Sequence, residues 1–299
     1  MYYDARSPST VLPCALVQFC YTDGMKPRDH IGLVLSGGGT RGIAHIGAWR
    51  VLERMGFSPG AIAGCSMGAI VGAMIASGKT AEDMESFVLS QRLFSFFRFP
   101  VSTLGITNFS QLEQRLMRFL RVRRFEQLRI PLTVNATDLT TGSSVVYRSG
   151  RLWPALRASM SVPGLFAPVR RNRHVLVDGG VIDQQPFSLL PNDISRFVLI
   201  NSSPPKMISA ERYSILDLLK ASLNVMQNES ARLRLERIPK SRYVLIEPNL
   251  GGRFLIETER GYAHLLALGE QAAKKQKPAL RRLFISGSRP SSPTAYSGR

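Results

Sequence analysis

The chain has 299 residues, 44% apolar and 20% charged, which is enough to bury a sizeable core and too hydrophobic for a disordered chain. Its formal net charge of +18 is far from typical and calls for an anionic partner. Three cysteines, Cys14, Cys20 and Cys65, are too few and too poorly spaced for a disulfide framework or a metal site. A reducing, cytoplasmic setting with peripheral contact to a membrane is the expectation. In the first 24 residues a ten-residue weakly apolar run is broken by Pro13, a poor signal peptide. Residues 1–30 are expected to be a disordered N-terminal extension, and Met25, just before the first strand, offers an alternative start.

The apolar run 31–35 reads as a buried strand, followed by the turn Ser36-Gly37-Gly38-Gly39-Thr40-Arg41-Gly42. Residues 41–55 carry apolar side chains at three-four spacing and predict a helix that Gly56 ends. A second short strand, 61–63, runs into Gly64-Cys65-Ser66-Met67-Gly68 and a helix over 66–77. The span 61–78 is uncharged and near the minimum length for crossing a bilayer, but it is mostly Ala and Gly. A strand, a tight turn and a buried helix whose glycines pack on a sheet fit the same letters better. Residues 80–102 continue as a helix into the aromatic cluster Leu93, Phe94, Phe96, Phe97 and Phe99. That cluster fits either an acyl-binding or lipid-facing cover or a core-packing helix end.

Further along, the pattern predicts a helix over 111–119, a strand over 130–139, a second strand over 144–148 paired with it, and a helix over 152–161 stopped by Pro163-Gly164. A brief strand, 174–177, delivers Asp178-Gly179-Gly180, and 196–200 is another buried strand. Beyond Pro204-Pro205 come a helix over 215–238, a strand over 243–247 and one long helix over 259–284. Residues 286–299 are low in apolar side chains and read as a disordered tail.

Two strand-turn-helix units in succession imply parallel β/α architecture. The spacing Gly37-x-Gly39-x-x-Gly42 also fits a dinucleotide-binding turn, but the end of the second strand offers no carboxylate to hold a ribose. Gly64-x-Ser66-x-Gly68 is the stronger signal: glycines on both sides of a serine relieve a strained strand-to-helix bend that exposes its hydroxyl. The serine needs a base. A Ser-His-Asp order would nominate His264, which lies in a helical pattern; His45 sits beside the glycines and His174 at a strand edge. Asp178, held by Gly179-Gly180, offers a base without histidine. Basic clusters at 115–129, 170–173, 232–242 and 274–282 accompany no nucleic-acid motif. The expected partner is an anionic membrane surface rather than nucleic acid, with a merely solvated basic surface also open.

Four ordered blocks carry a family resemblance: Gly37-Gly38-Gly39-Thr40-Arg41-Gly42, Gly64-Cys65-Ser66-Met67-Gly68, the run from Ala158 to Pro168, and Asp178-Gly179-Gly180. Together they resemble the patatin-like phospholipases over about residues 31–205. The resemblance implies a three-layer α/β/α fold with a mainly parallel central sheet and a catalytic core at 31–205, leaving 206–285 as helical and strand additions. It implies a serine lipid acyl hydrolase acting on phospholipid or another acyl ester, with Ser66 and Asp178 as a catalytic pair. Gly37, Gly38, Gly39 and Arg41 fall at its oxyanion-binding block, and no metal or cofactor is called for. Where the family often has an Asn before a proline, this chain reads Asp183-Gln184-Gln185-Pro186. A non-catalytic lipid- or protein-binding module of the same fold is the alternative.

Overall fold

A computed structural model describes residues 30–90, 109–204, 215–250 and 259–285. The expected N-terminal extension and C-terminal tail lie outside these residues. The core is one mixed sheet of eight strands, ordered β5 (Val169–Arg171), β6 (His174–Asp178), β3 (Leu132–Asp138), β2 (Ile62–Gly64), β1 (Ile31–Leu35), β7 (Arg196–Ile200), β8 (Tyr243–Ile246), with β4 (Ser143–Tyr147) paired to β3. β1 (Ile31–Leu35) lies at its centre, parallel to β2 (Ile62–Gly64) on one side and β7 (Arg196–Ile200) on the other. β3 (Leu132–Asp138) continues the parallel set beyond β2, and β8 (Tyr243–Ile246) beyond β7. β4 (Ser143–Tyr147), β5 (Val169–Arg171) and β6 (His174–Asp178) form the antiparallel flank.

Every residue of β1 is buried, because helices cover both faces of a parallel sheet and leave no polar side to the strand. Ile31, Leu33 and Leu35 pack into the larger cluster with α1 (Ala44–Arg54), α2 (Met67–Ala76), α3 (Ala81–Ser90), α4 (Phe109–Leu120) and α5 (Leu152–Ser159). Val34 points to the opposite cluster, with Phe187, Phe197, Leu199 and Leu235 of α6 (Ile215–Glu236). This is the three-layer α/β/α arrangement the sequence predicts.

Beyond shifts of a residue or two at element ends, the structure departs from the sequence pattern as follows. A 3-10 turn, Gly39–Ile43, precedes α1, so the helix begins later than residue 41. The long C-terminal helix is two: α7 (Glu259–Lys275) and α8 (Lys277–Ile285). Pro278 explains the break, since it brings no N–H to bond back to the preceding turn and is tolerated only in the first turn of a helix. β5, not expected from the sequence, pairs with β6 through a turn in which Asn172 takes φ 53°, a left-handed conformation that Asn tolerates. The uncharged 61–78 span folds as β2 and a ten-residue helix, and no helix among the described residues is long and apolar enough to cross a membrane.

Candidate active site

β2 ends at Gly64 and the chain turns into α2 through Cys65 and Ser66. Ser66 has φ 54° and ψ −122°, strained for a residue with a side chain. The neighbouring glycines allow the bend. A Cβ on Gly64 would stand 2.6 Å from the Gly68 carbonyl oxygen, and one on Gly68 would stand 2.2 Å from that of Leu35. The Ser66 N–H donates to Ser159 Oγ at 2.8 Å, which fixes the elbow from α5.

The register on β3 explains how Asp178 meets this elbow from over a hundred residues away. Gly64 lies opposite Val134 and Asp178 opposite Ala136, so β2 and β6 run their C-terminal ends toward one another along β3. Asp178 Oδ1 accepts the Gly180 N–H at 2.7 Å and the Cys65 thiol at 3.7 Å, and its own N–H donates to the Ser161 carbonyl at 2.9 Å. Burial pushes its pKa up to about 6, opposed by the Ser66 hydroxyl first, then the Gly180 N–H and the Cys65 thiol. Oδ2 is buried without a hydrogen bond of full geometry, so the Ser66 contact is longer or more bent than a settled hydrogen bond. Resting geometry of that kind is common where a proton moves only once substrate is bound.

The glycine-rich turn lies directly against the elbow. A Cβ built on Gly37 would touch Ser66 Cβ at 3.4 Å and Gln184 Cγ at 3.3 Å. The Gly37 N–H, expected to face an oxyanion, is taken by the Gln184 carbonyl at 3.1 Å. Gly38 and Gly39 open the 3-10 turn, where N–H groups have no acceptor within the helix. Gly38 also allows a close approach: a Cβ there would sit 2.4 Å from Ser202 Oγ. Gly39 takes φ 57°. Arg41 is buried, which lowers its pKa to about 10. Its guanidinium donates to Ser203 Oγ at 2.6 Å and to the Gly38 carbonyl at 3.4 Å, bracing the turn from behind.

Other candidates fall elsewhere. Phe94, Phe96 and Phe97 lie outside the described residues. His45 Nε2–H donates to the Ser36 carbonyl at 2.9 Å, and burial lowers its pKa to about 4. His174 Nδ1 pairs with Asp138 at 2.6 Å, and His264 is exposed on α7. Sequence reasoning missed Ser159, Gln184 and a set of polar residues on α6. Of these, Ser159 lay within a quoted motif block, whereas Asn224, Gln227 and Arg234 carried no local signal. Gln227 donates to the Gly180 carbonyl at 2.5 Å, Asn224 to Ser203 Oγ at 2.9 Å, and Arg234 grips Asp183 bidentately at 2.7 and 2.8 Å. The Arg234 contact holds the Asp183-Gln184-Gln185 stretch, with Asn135 adding a bond to the Asp183 carbonyl at 2.8 Å.

A mixed α/β sheet that presents a serine on a strand-to-helix elbow, beside a glycine-rich turn and a buried carboxylate, defines a class of serine-elbow α/β proteins. Comparison narrows the class: the patatin-like phospholipase family model matches residues 33–191, and the chain belongs to that family. An uncharacterized NTE family protein of Mycobacterium tuberculosis is 36% identical over 178 residues, 58% of this chain and 49% of that protein. Lysophospholipase NTE1 of Cryptococcus neoformans is 33% identical over 180 residues, 58% of this chain and 11% of the fungal protein. The match thus spans half or less of these relatives. Among solved structures, VipD from Legionella pneumophila shares the fold with TM-score 0.51 and 16% identity, over 87% of this chain and 67% of VipD.

Proposed function

We propose that this protein is a serine lipid acyl hydrolase in which Ser66 is the nucleophile and Asp178 its base. The observation that carries the reading is the contact of a strained, buried serine with a carboxylate of raised pKa, beneath the N-terminal end of a glycine-rich 3-10 turn. Asp178 accepts the Ser66 proton as Oγ attacks the ester carbonyl carbon. The negative charge that develops on the carbonyl oxygen is met by the Gly38 and Gly39 N–H groups and by the positive end of α2. Collapse breaks the ester bond, the departing alcohol takes the proton from Asp178, and the acyl group stays on Ser66. Water then gives a proton to Asp178 as its oxygen attacks the acyl carbon. The second collapse returns that proton to Ser66 and releases the fatty acid.

The reading draws its substrate class, phospholipid or lysophospholipid acyl esters, from the family and from the names of its relatives. A panel of such lipids tests it, with Ser66→Ala and Asp178→Asn as controls. Each substitution is expected to lower turnover at least about 10³-fold, the scale of losing a nucleophile or base. A fluorophosphonate probe should label the parent chain at Ser66. Undiminished hydrolysis by Ser66→Ala would refute the assignment, and loss of turnover in His264→Ala or His174→Ala would favour a histidine-based triad.

A further inference from the structure

Helix α6 is inverted over its N-terminal part, while Ala231 and Leu235 near its C-terminal end turn to the core in the usual way. Its carboxamides, Asn224, Gln227 and Asn228, face the protein and hold Ser203 and Gly180. Its apolar residues Ile215, Leu218, Leu219, Leu223, Val225 and Met226 face outward, with Ile215 79%, Met226 66%, Leu219 58% and Val225 53% exposed. Among the described residues, seven of the ten exposed large hydrophobic side chains lie on this one helix, the seventh being Leu233. Surface helices turn their apolar face to the core, so a helix that does the opposite presents a surface meant to be covered. Ile182, on the loop that carries Asp178, is exposed as well.

We propose that the outward face of α6 is the docking surface for an anionic lipid bilayer. The charge of the chain selects this occupant. A second copy would bring another net charge of +18 against the first, whereas an anionic surface attracts both the charge and the apolar face. The contacts from α6 to Gly180 and Ser203 place the docked helix directly beside the candidate site, so seating α6 in the headgroup region sets that site at the lipid surface. The choice of lipid as partner rests on the hydrolase reading, but docking itself is measurable without turnover.

The test uses the full chain and phosphatidylcholine vesicles, with and without about a third phosphatidylserine, in a flotation assay. The double variant Leu219→Glu/Met226→Glu places charges on the face, and Leu219→Ser/Met226→Ser removes apolar surface without adding charge. The parent chain is expected to float with phosphatidylserine-containing vesicles and less with phosphatidylcholine alone. The Glu variant should lose at least about tenfold in partitioning and the Ser variant an intermediate amount, while both hydrolyse a water-soluble short-chain ester within about twofold of the parent. Equal flotation of all three proteins would overturn the proposal. So would a parent that is dimeric in solution and becomes monomeric in the variants without any change in flotation. If the parent floats as expected but cleaves no ester, docking stands and the hydrolase reading fails.

Discussion

A carboxylate with pKa near 6 inside a folded protein has consequences for rate and for stability, and they run in opposite directions. In the proposed role of base, Asp178 must be ionised, so kcat/KM should fall about tenfold per pH unit below a midpoint near 6. Removing the thiol in Cys65→Ala takes away a group that favours the ionised form, and the midpoint should move upward. For stability, a raised folded-state pKa means that the native state holds its proton more tightly than the unfolded chain. The fold is therefore most favoured below the unfolded value near 4 and loses that contribution as pH rises through 6. The loss is about 3 kcal/mol for a shift of roughly two units. Asp178→Asn should thus be more stable than the parent at pH 8 by up to about that amount, with the difference vanishing near pH 4, as read by denaturant melts. Gly68 sets a different limit. A methyl group there meets the Leu35 carbonyl at 2.2 Å, and backbone cannot yield as a side chain does. Gly68→Ala is expected to cost about 3 kcal/mol or more. Gly72→Ala, where the nearest atoms are side-chain methyls at 3.2 Å, should cost far less by the same melts.

At the scale of elements, the candidate site is held by a helix that contributes neither Ser66 nor Asp178. Arg234 of α6 makes two hydrogen bonds to a buried Asp183 and lies 5.0 Å from the centre of the Phe187 ring. Arg234→Ala leaves that carboxylate unpaired, with an expected loss of about 3 kcal/mol. Arg234→Lys keeps the charge without the two-pronged geometry and should recover only part of it. A double cycle with Asp183→Asn isolates the pair, and a coupling indistinguishable from zero would refute it. This brace was not legible in the sequence, while the elbow was. Gly64, Ser66 and Gly68 announce themselves because their constraint is local: backbone of one turn crowds backbone of the next. The strand at Ile31–Leu35 was equally plain, since burial on both faces leaves an unbroken apolar run. Asp183, Arg234 and Gln227 are ordinary polar letters, and what makes them matter is a contact between elements some fifty residues apart. The bond from the Gly37 N–H to the Gln184 carbonyl is of the same kind, a contact between distant segments that only the fold reveals. The break at Pro278 was readable in principle, but the apolar periodicity on either side masked it.

For the molecule as a whole, the C-terminal segment is built into the same sheet and core that carry the candidate site. β8 pairs in parallel with β7 over four residues, and α7 lies across α1 at a contact made by two glycines. A Cβ on Gly47 would stand 1.9 Å from the Leu266 carbonyl oxygen, and a Cβ on Gly269 would stand 1.9 Å from that of Ala44. The two backbones are thus in mutual contact, each glycine receiving the other helix. Arg50 adds ion pairs from α1 to Glu85 on α3 and to Glu270 on α7, the latter at 3.3 Å. α1 follows directly from the 3-10 turn that carries Gly39, so anything that lifts α7 also shifts the base of that turn. Gly269→Val is therefore expected to act on both properties at once. Helix separation should cost about 3 kcal/mol or more, and in protein that still folds, turnover should fall while fluorophosphonate labelling of Ser66 slows in parallel. Ala272, half-buried on α7 and packed at the edge of the core, supplies the control: Ala272→Val should change neither property by more than a small factor. If Gly269→Val melted and reacted like the parent, the C-terminal helix would be an appendage to the site after all, and a chain ending before α7 should then retain full activity.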